Sequence, residues 1–218
     1  AVVGPTASGK SAVAMAAADE HDDVELVSVD SMQVYRGMDI GTAKPSPAER
    51  ERVRHHLLDL VDASDAFSVA EFQRAYRAVI ADIDGRHHRA ILVGGTGLYH
   101  RAVIDDLDVP GEWPEIRDRL VAECAAVGAP ELHARLAAVD PPAAARIEPS
   151  NERRVVRALE VCEGSGRPFS SFGPGLDAYP PNRVRQVGLR WDRAALAERI
   201  AERVPQMMAG GLLDEVGA

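Results

Sequence analysis

Lysine is almost absent from this chain. Of its 25 basic residues 23 are arginine, and the only lysines are Lys10 and Lys44. The two side chains are not interchangeable, so lysines kept against such an arginine background mark places that need a compact ammonium. Cysteine is nearly as scarce. Cys124 and Cys162 stand alone with no C-x-x-C pair, which excludes a disulfide framework, makes the cytoplasm the default compartment and leaves both thiols as small buried side chains. No apolar run approaches the roughly 18 residues of a membrane span, and no signal peptide is visible. Positive charge is also in deficit: the net charge of −9 argues against bulk nucleic-acid binding. Residues 183–203 run the other way, with six arginines against three acids, so a local basic surface remains available. What is left is ordinary: 218 residues, 46% hydrophobic and 27% charged, enough for one α/β domain with a smaller appendage. Three residues precede the first glycine turn, there is no initiator Met, and 212–216 begins a helix that is not finished, so the chain reads as part of a longer protein.

The most informative stretch comes first. Ala1-Val2-Val3 is followed by Gly4-Pro5-Thr6-Ala7-Ser8-Gly9-Lys10-Ser11 and then by an alanine-rich helical segment. This is G-x-x-x-x-G-K-S, a nucleotide-binding phosphate loop, between a strand and a helix, the setting it requires. Glycines let successive backbone N–H groups close on a phosphate, and the helix N-terminus adds to the field. Lys10 supplies a point charge, and the Ser11 hydroxyl can take one position on Mg²⁺.

Further along, 24–29 reads as a second strand that ends at Asp30, at the sheet edge where open α/β folds place ligands. The loop 31–45 is long and poor in helix or strand signals, which favours a functional role. Residues 47–54 read as a charged helix. His55 and His56 lack a third ligand at metal spacing, so a structural or hydrogen-bonding role is expected for them. A capping box, Ser68 with Glu71, opens a helix over 68–83. A third strand over 90–93 runs into Gly94-Gly95-Thr96-Gly97 with no acid at its end. An ATPase or GTPase often holds its metal with an acid there, so its absence counts against ordinary nucleotide hydrolysis. From about residue 108 the composition shifts. Helices are expected over 114–127, 130–139 and 151–162, with a break at Asp140-Pro141-Pro142. Loop is expected over 164–182, a returning strand over 183–191, and a helix over 193–209 closed by Gly210-Gly211.

Five stretches taken together resemble one family, the tRNA dimethylallyltransferases, or tRNA isopentenyltransferases. They are residues 4–11, Asp30 to Pro45 (DSMQVYRGMDIGTAKP), His55-His56-Leu57-Leu58-Asp59, Gly94-Gly95-Thr96-Gly97-Leu98-Tyr99, and Arg154-Val155-Val156-Arg157-Ala158-Leu159-Glu160. They occur in the family's order and cover nearly the whole chain. The resemblance implies an α/β fold: a P-loop NTPase-like parallel sheet flanked by helices, with a small helical insertion domain. It divides the chain into a catalytic core, 1–108 and 182–218, and a tRNA-binding insertion, 109–181.

It also implies transfer of a dimethylallyl group from dimethylallyl diphosphate to N6 of adenosine 37 of tRNA, beside the anticodon, with diphosphate released. On this reading the phosphate loop holds the leaving group with Mg²⁺ near Ser11. Asp30, Lys10 and Thr96 are the catalytic residues, with Asp30 placed to accept the N6 proton. Arg199 and Arg203 are candidates for a further diphosphate contact. Asp30, Ser31, Met32, Gln33, Thr96, Arg117, Arg153, Arg154 and Arg157 are the implied contacts to the tRNA anticodon stem-loop. Lys44 is assigned either to diphosphate or to the RNA backbone. A cytoplasmic monomer without membrane attachment is expected. Family members extend several dozen residues beyond this chain and add RNA contacts there. The rivals are an adenylate isopentenyltransferase acting on free AMP, a P-loop small-molecule kinase, and an RNA-binding module without turnover.

Overall fold

The computed structural model describes residues 1–173 and 180–217. In chain order the elements are β1 (Val2–Val3), α1 (Lys10–Ala18), β2 (Val24–Ser28), α2 (Pro47–Arg52), β3 (His55–His56), α3 (Val69–Gly85), β4 (Arg89–Gly94), α4 (Gly97–Ile104), α5 (Pro114–Val127), α6 (Ala129–Val139), α7 (Pro141–Ala144), α8 (Glu152–Ser165), β5 (Val187–Gly188), α9 (Arg193–Ala209) and α10 (Leu212–Gly217). A 3₁₀ turn at Phe169–Ser171 follows α8. Contacts divide the chain into two units, Ala1–Ile104 with Asn182–Ala218, and Asp105–Pro181.

The first unit is built on a five-stranded sheet in the order β3-β2-β4-β1-β5, with every pairing parallel. All five residues of β2 are buried, as an interior parallel strand requires. Its side chains alternate between two cores. Val24 and Leu26 join Ala14, Met15 and Ala18 of α1, while Val27 joins Phe72 and Ile83 of α3 and Tyr99 of α4. Helices therefore cover both faces, and fully buried side chains such as Phe72 and Ile83 each contribute on the order of 2–3 kcal/mol. The register pairs Ser28 of β2 and Val2 of β1 with the same residue, Val93, so the strand ends after β1, β2 and β4 open on one edge. Gly94 makes this possible: a Cβ there would stand 1.9 Å from the Val29 carbonyl oxygen.

Several elements differ from the sequence reading. The returning strand over 183–191 contracts to Val187–Gly188, because its one partner, β1, is itself two residues long. The helix expected over 47–54 stops at Arg52, where Val53 turns extended to feed β3, the edge strand that the two histidines form. His56 does carry a hydrogen-bonding role: its Nε2 lies 2.5 Å from Oε2 of the buried Glu25. The Ser68–Glu71 capping box is present, with Ser68 Oγ accepting from the Glu71 N–H and Glu71 accepting from the Ser68 N–H.

The second unit is helical. Leu120 and Cys124 of α5, Leu132 and Leu136 of α6, and Val155 and Leu159 of α8 form its core. The break at Asp140-Pro141-Pro142 is also a helix start. Asp140 caps Ala143, and proline at N1 loses no hydrogen bond, so α7 forms. Helix α8 runs three residues past the expected Cys162 and closes on Gly166 at φ 68. Residues 174–179 of the expected 164–182 loop lie outside the described residues. Among the described residues, no helix is long and apolar enough to cross a membrane.

Candidate active site

The phosphate loop is a cradle with unspent donors. Gly9 sits at φ 86 as the N-cap of α1, a conformation glycine adopts without cost. No side chain caps the helix and no acid lies in its first turn, so its N-terminal N–H groups remain free for an anion. Lys10 Nζ donates to the Pro5 carbonyl at 2.8 Å, which folds its stem across the loop. Burial lowers its pKa. Asp30 opposes that shift, and the Arg203 charge adds to it. These two influences put Asp30 and Arg203 in the electrostatic surroundings of Lys10.

A cavity of about 610 Å³ lies over the loop, lined by Ala7 to Ala12 on one side and by Ile40, Ala43, Arg199, Glu202, Arg203, Gln206 and Met207 on the others. Of the two candidate arginines, Arg199 is engaged with the loop itself. Its Nε donates to the Ala7 carbonyl at 2.8 Å and its guanidinium stacks 4.5 Å from the Trp191 ring centroid. The Trp191 indole in turn donates to the Ser8 carbonyl at 3.0 Å. Arg203 lines the cavity and has no hydrogen bond or ion pair among the described residues. Both arginines line the cavity, and Arg199 is the one that also braces the cradle. Glu202 and Gln206 were missed, although their spacing from Arg199 at i+3 and i+7 is a helical face that could have been read.

Asp30 stands at the end of β2. Its Oδ1 accepts from the Met32 N–H at 2.9 Å, which leaves the second carboxylate oxygen without a hydrogen bond from the described residues. Thr96 opens α4 from the end of β4. Its Oγ1 accepts from the Ser31 N–H at 3.2 Å and lies 3.3 Å from Ser31 Oγ. Between them, a Cβ at Gly95 would stand 3.4 Å from Lys10 Nζ, so the end of β4 abuts the loop. Met32 is exposed. Both ends of the Gln33 amide serve the loop: Nε2 donates to the Thr42 and Ala43 carbonyls, each at 3.1 Å, and Oε1 accepts from Ser28 Oγ at 2.7 Å.

Lys44 is tied into the protein itself. Its side chain is 1% exposed, and Nζ donates to the Tyr35 carbonyl at 2.5 Å, to Asp59 at 2.6 Å and to Asp39 at 2.8 Å. All three protons are used. It staples the 35–44 loop.

In the helical unit, Arg117 and Arg157 share one fully buried carboxylate. Arg117 Nε donates to Glu160 Oε2 at 2.9 Å and Arg157 Nη1 to Glu160 Oε1 at 2.8 Å, while Arg157 Nη2 reaches the Pro110 and Gly111 carbonyls. Burial pushes the Glu160 carboxyl up. The bonds from Arg117, the Trp113 N–H and Arg157 outweigh it and leave the group below its ordinary value. Arg153 and Arg154 are exposed.

A family model described as IPP transferase matches residues 33–218. The chain belongs to the IPP transferase family. It is 54% identical over its whole length to a tRNA dimethylallyltransferase of Salinispora arenicola, of which it spans 63%. It matches the crystal structure of the tRNA isopentenylpyrophosphate transferase of Bacillus halodurans at 42% identity, covering 98% of this chain and 67% of that one, with a TM-score of 0.61. A eukaryotic dimethylallyltransferase acting on tRNA matches at 26% identity, with coverage of 99% and 54% and a TM-score of 0.82. The α/β parallel-sheet class read from the sequence stands.

Proposed function

We propose that this chain carries the catalytic core of a tRNA dimethylallyltransferase, transferring the dimethylallyl group of dimethylallyl diphosphate to N6 of the adenosine at position 37. One observation carries the reading. A phosphate cradle with free donors lies near enough to the carboxylate of Asp30 for its charge to act on Lys10, Ser31 beside Asp30 bonds the Thr96 hydroxyl, and glycine stands at the strand end where a hydrolase would hold an acid.

In this reaction the C1–O bond to diphosphate breaks as adenine N6 forms its bond to C1, and N6 gives up a proton. The N–H groups at the start of α1, Lys10 and Arg203 stabilise charge as it gathers on the leaving diphosphate. Asp30 accepts the proton through its free oxygen, a contribution of about 10²–10⁴-fold. Thr96 and Ser31, bonded to each other, fix the segment beside Asp30. Arg199 keeps the loop in register through the Ala7 carbonyl. The residues fit Mg²⁺. Ser11, whose hydroxyl is a hard oxygen at the cavity, would hold it. Such an ion supplies further neutralisation of the leaving group. The adenine is taken out of the loop stack to reach Asp30. The unpaired Cys124 and Cys162 support a cytoplasmic setting.

The experiment is transfer from labelled dimethylallyl diphosphate with Mg²⁺ to unmodified tRNA and, separately, to AMP, with Asp30→Ala beside the parent. Label on tRNA, lost in the variant by about 10²-fold or more, is expected. Label on AMP alone moves the acceptor to a free nucleotide. ATP consumption with neither acceptor labelled overturns the reading.

A further inference from the structure

Glu215, near the end of α10, holds three successive backbone N–H groups of a distant turn. Its Oε2 accepts from Asp39 at 2.7 Å and from Ile40 at 2.6 Å, and its Oε1 accepts from Gly41 at 2.9 Å. Consecutive N–H groups converging on one anion form a nest, here filled by a carboxylate from the same chain. Burial favours the protonated form. The three N–H bonds and the Lys44 charge overcome it and keep the carboxyl ionised below its ordinary range.

The turn that Glu215 grips belongs to the cavity over the phosphate loop. Ile40 and Ala43 form one wall, and Arg203, Gln206 and Met207 form the facing wall. Helix α9 carries that facing wall and ends in Gly210-Gly211, against which Ile40 packs. Gly211, at φ 98, reverses the chain into α10, so one helical hairpin presents Arg203 with its first arm and grips the turn with its second. The far side of the turn is held independently, by Gln33 on the Thr42 and Ala43 carbonyls and by Lys44 on Asp39 and Asp59. Glu215 is the anchor that ties the turn to the wall across the cavity.

We propose that Glu215 is a positioning residue for diphosphate: it locks the Asp39–Gly41 turn against the α9 hairpin, so that the cavity over Lys10 has its ligand-binding width before the ligand arrives. Preorganisation of this kind raises affinity by removing the ordering cost from the binding step. The inference rests on the reading of this cavity as a diphosphate site.

Glu215→Gln keeps the shape and one acceptor oxygen but turns an amide N–H₂ toward backbone donors. Inorganic diphosphate with Mg²⁺ is titrated calorimetrically into both proteins, and transfer kinetics are measured alongside. The expected result is a diphosphate Kd and a dimethylallyl diphosphate KM raised about tenfold, the scale of one charge-assisted hydrogen bond. The kcat should stay within about threefold, because Asp30 and Thr96 are untouched. Equal Kd and KM in the two proteins overturns the role of Glu215 while leaving the site intact. A parent that ignores diphosphate overturns the underlying reading instead, and this inference with it. Amide hydrogen exchange on the parent protein needs no variant to fold. The amides of Asp39, Ile40 and Gly41 should already be slow without ligand, and fast exchange at all three in the ligand-free parent overturns the lock.

Discussion

The chain's two lysines show how one residue type in one chain is put to opposite uses. Among the described residues Lys10 has a single hydrogen-bond partner, the neutral Pro5 carbonyl, and it lines a cavity. Lys44 is 1% exposed and spends every proton on oxygen, two of the three acceptors being carboxylates. Rarity in the sequence marked both as special and could not say which was which. The difference lies in the acceptors that the fold brings near. A cation left short of counter-charge is poised for a ligand, and a cation saturated with it is a structural pin.

The contrast is broken most sharply by removing each ammonium in turn. Lys10→Met should lower transfer activity by about 10²–10³-fold, the cost of one donor aimed at developing charge, while the melting temperature holds or rises because burial already disfavours its charged form. Lys44→Met should do the reverse. It leaves Asp59 and Asp39 facing a buried methyl group, for a loss of roughly 3 kcal/mol, the low end for breaking a buried pair because Asp39 stays wet. Thermal melts and transfer assays on both variants check this. Equal behaviour of the two would dissolve the distinction.

The arginines repeat the comparison more gently. Arg203→Ala should weaken binding of dimethylallyl diphosphate by about 10–30-fold, since a cavity guanidinium with no hydrogen bond or ion pair among the described residues would be lost. Arg199→Ala should lower kcat as well as affinity, because the Ala7 carbonyl and the Trp191 ring lose their brace and the loop loosens. A KM-only effect in both variants would make Arg199 a second ligand contact instead.

How much of this was legible in the sequence depends on whether a residue's role is set locally or by its distant neighbours. The Gly9 turn, the Ser68–Glu71 cap and the start of α9 at Asp192 are local, and spacing alone predicts them. The phosphate cradle is local for the same reason. The ties of Lys44 to Asp59 and of Arg117 to Glu160 join residues 15 and 43 positions apart. No periodicity reports which arginine meets a buried carboxylate. The short β5 is misjudged for a related reason: its alternation promised a long strand, but pairing length is set by β1, which lies more than 180 residues earlier.

The last expected effect falls on stability alone and concerns a charge that has nothing to do with the cavity. Glu25, inside β2, is buried and receives His56, His88 and Arg86 on its two oxygens. Burial pushes its carboxyl up, but the His56 and Arg86 hydrogen bonds and the Arg86 charge prevail and hold it at about 2 against an ordinary 4.5. A depressed folded-state value means that the stabilisation is fully present above pH 4.5 and is lost as the pH falls toward 2. Glu25→Gln should therefore melt below the parent at neutral pH, and the gap between the two should close steadily from pH 4.5 downward while their transfer activities per folded molecule stay alike. Melting curves of the pair across that range decide it. A gap that persists unchanged into acid would mean that Glu25 stabilises the strand by packing and neutral hydrogen bonds, and that its charge, unlike that of Lys44, is incidental to the fold.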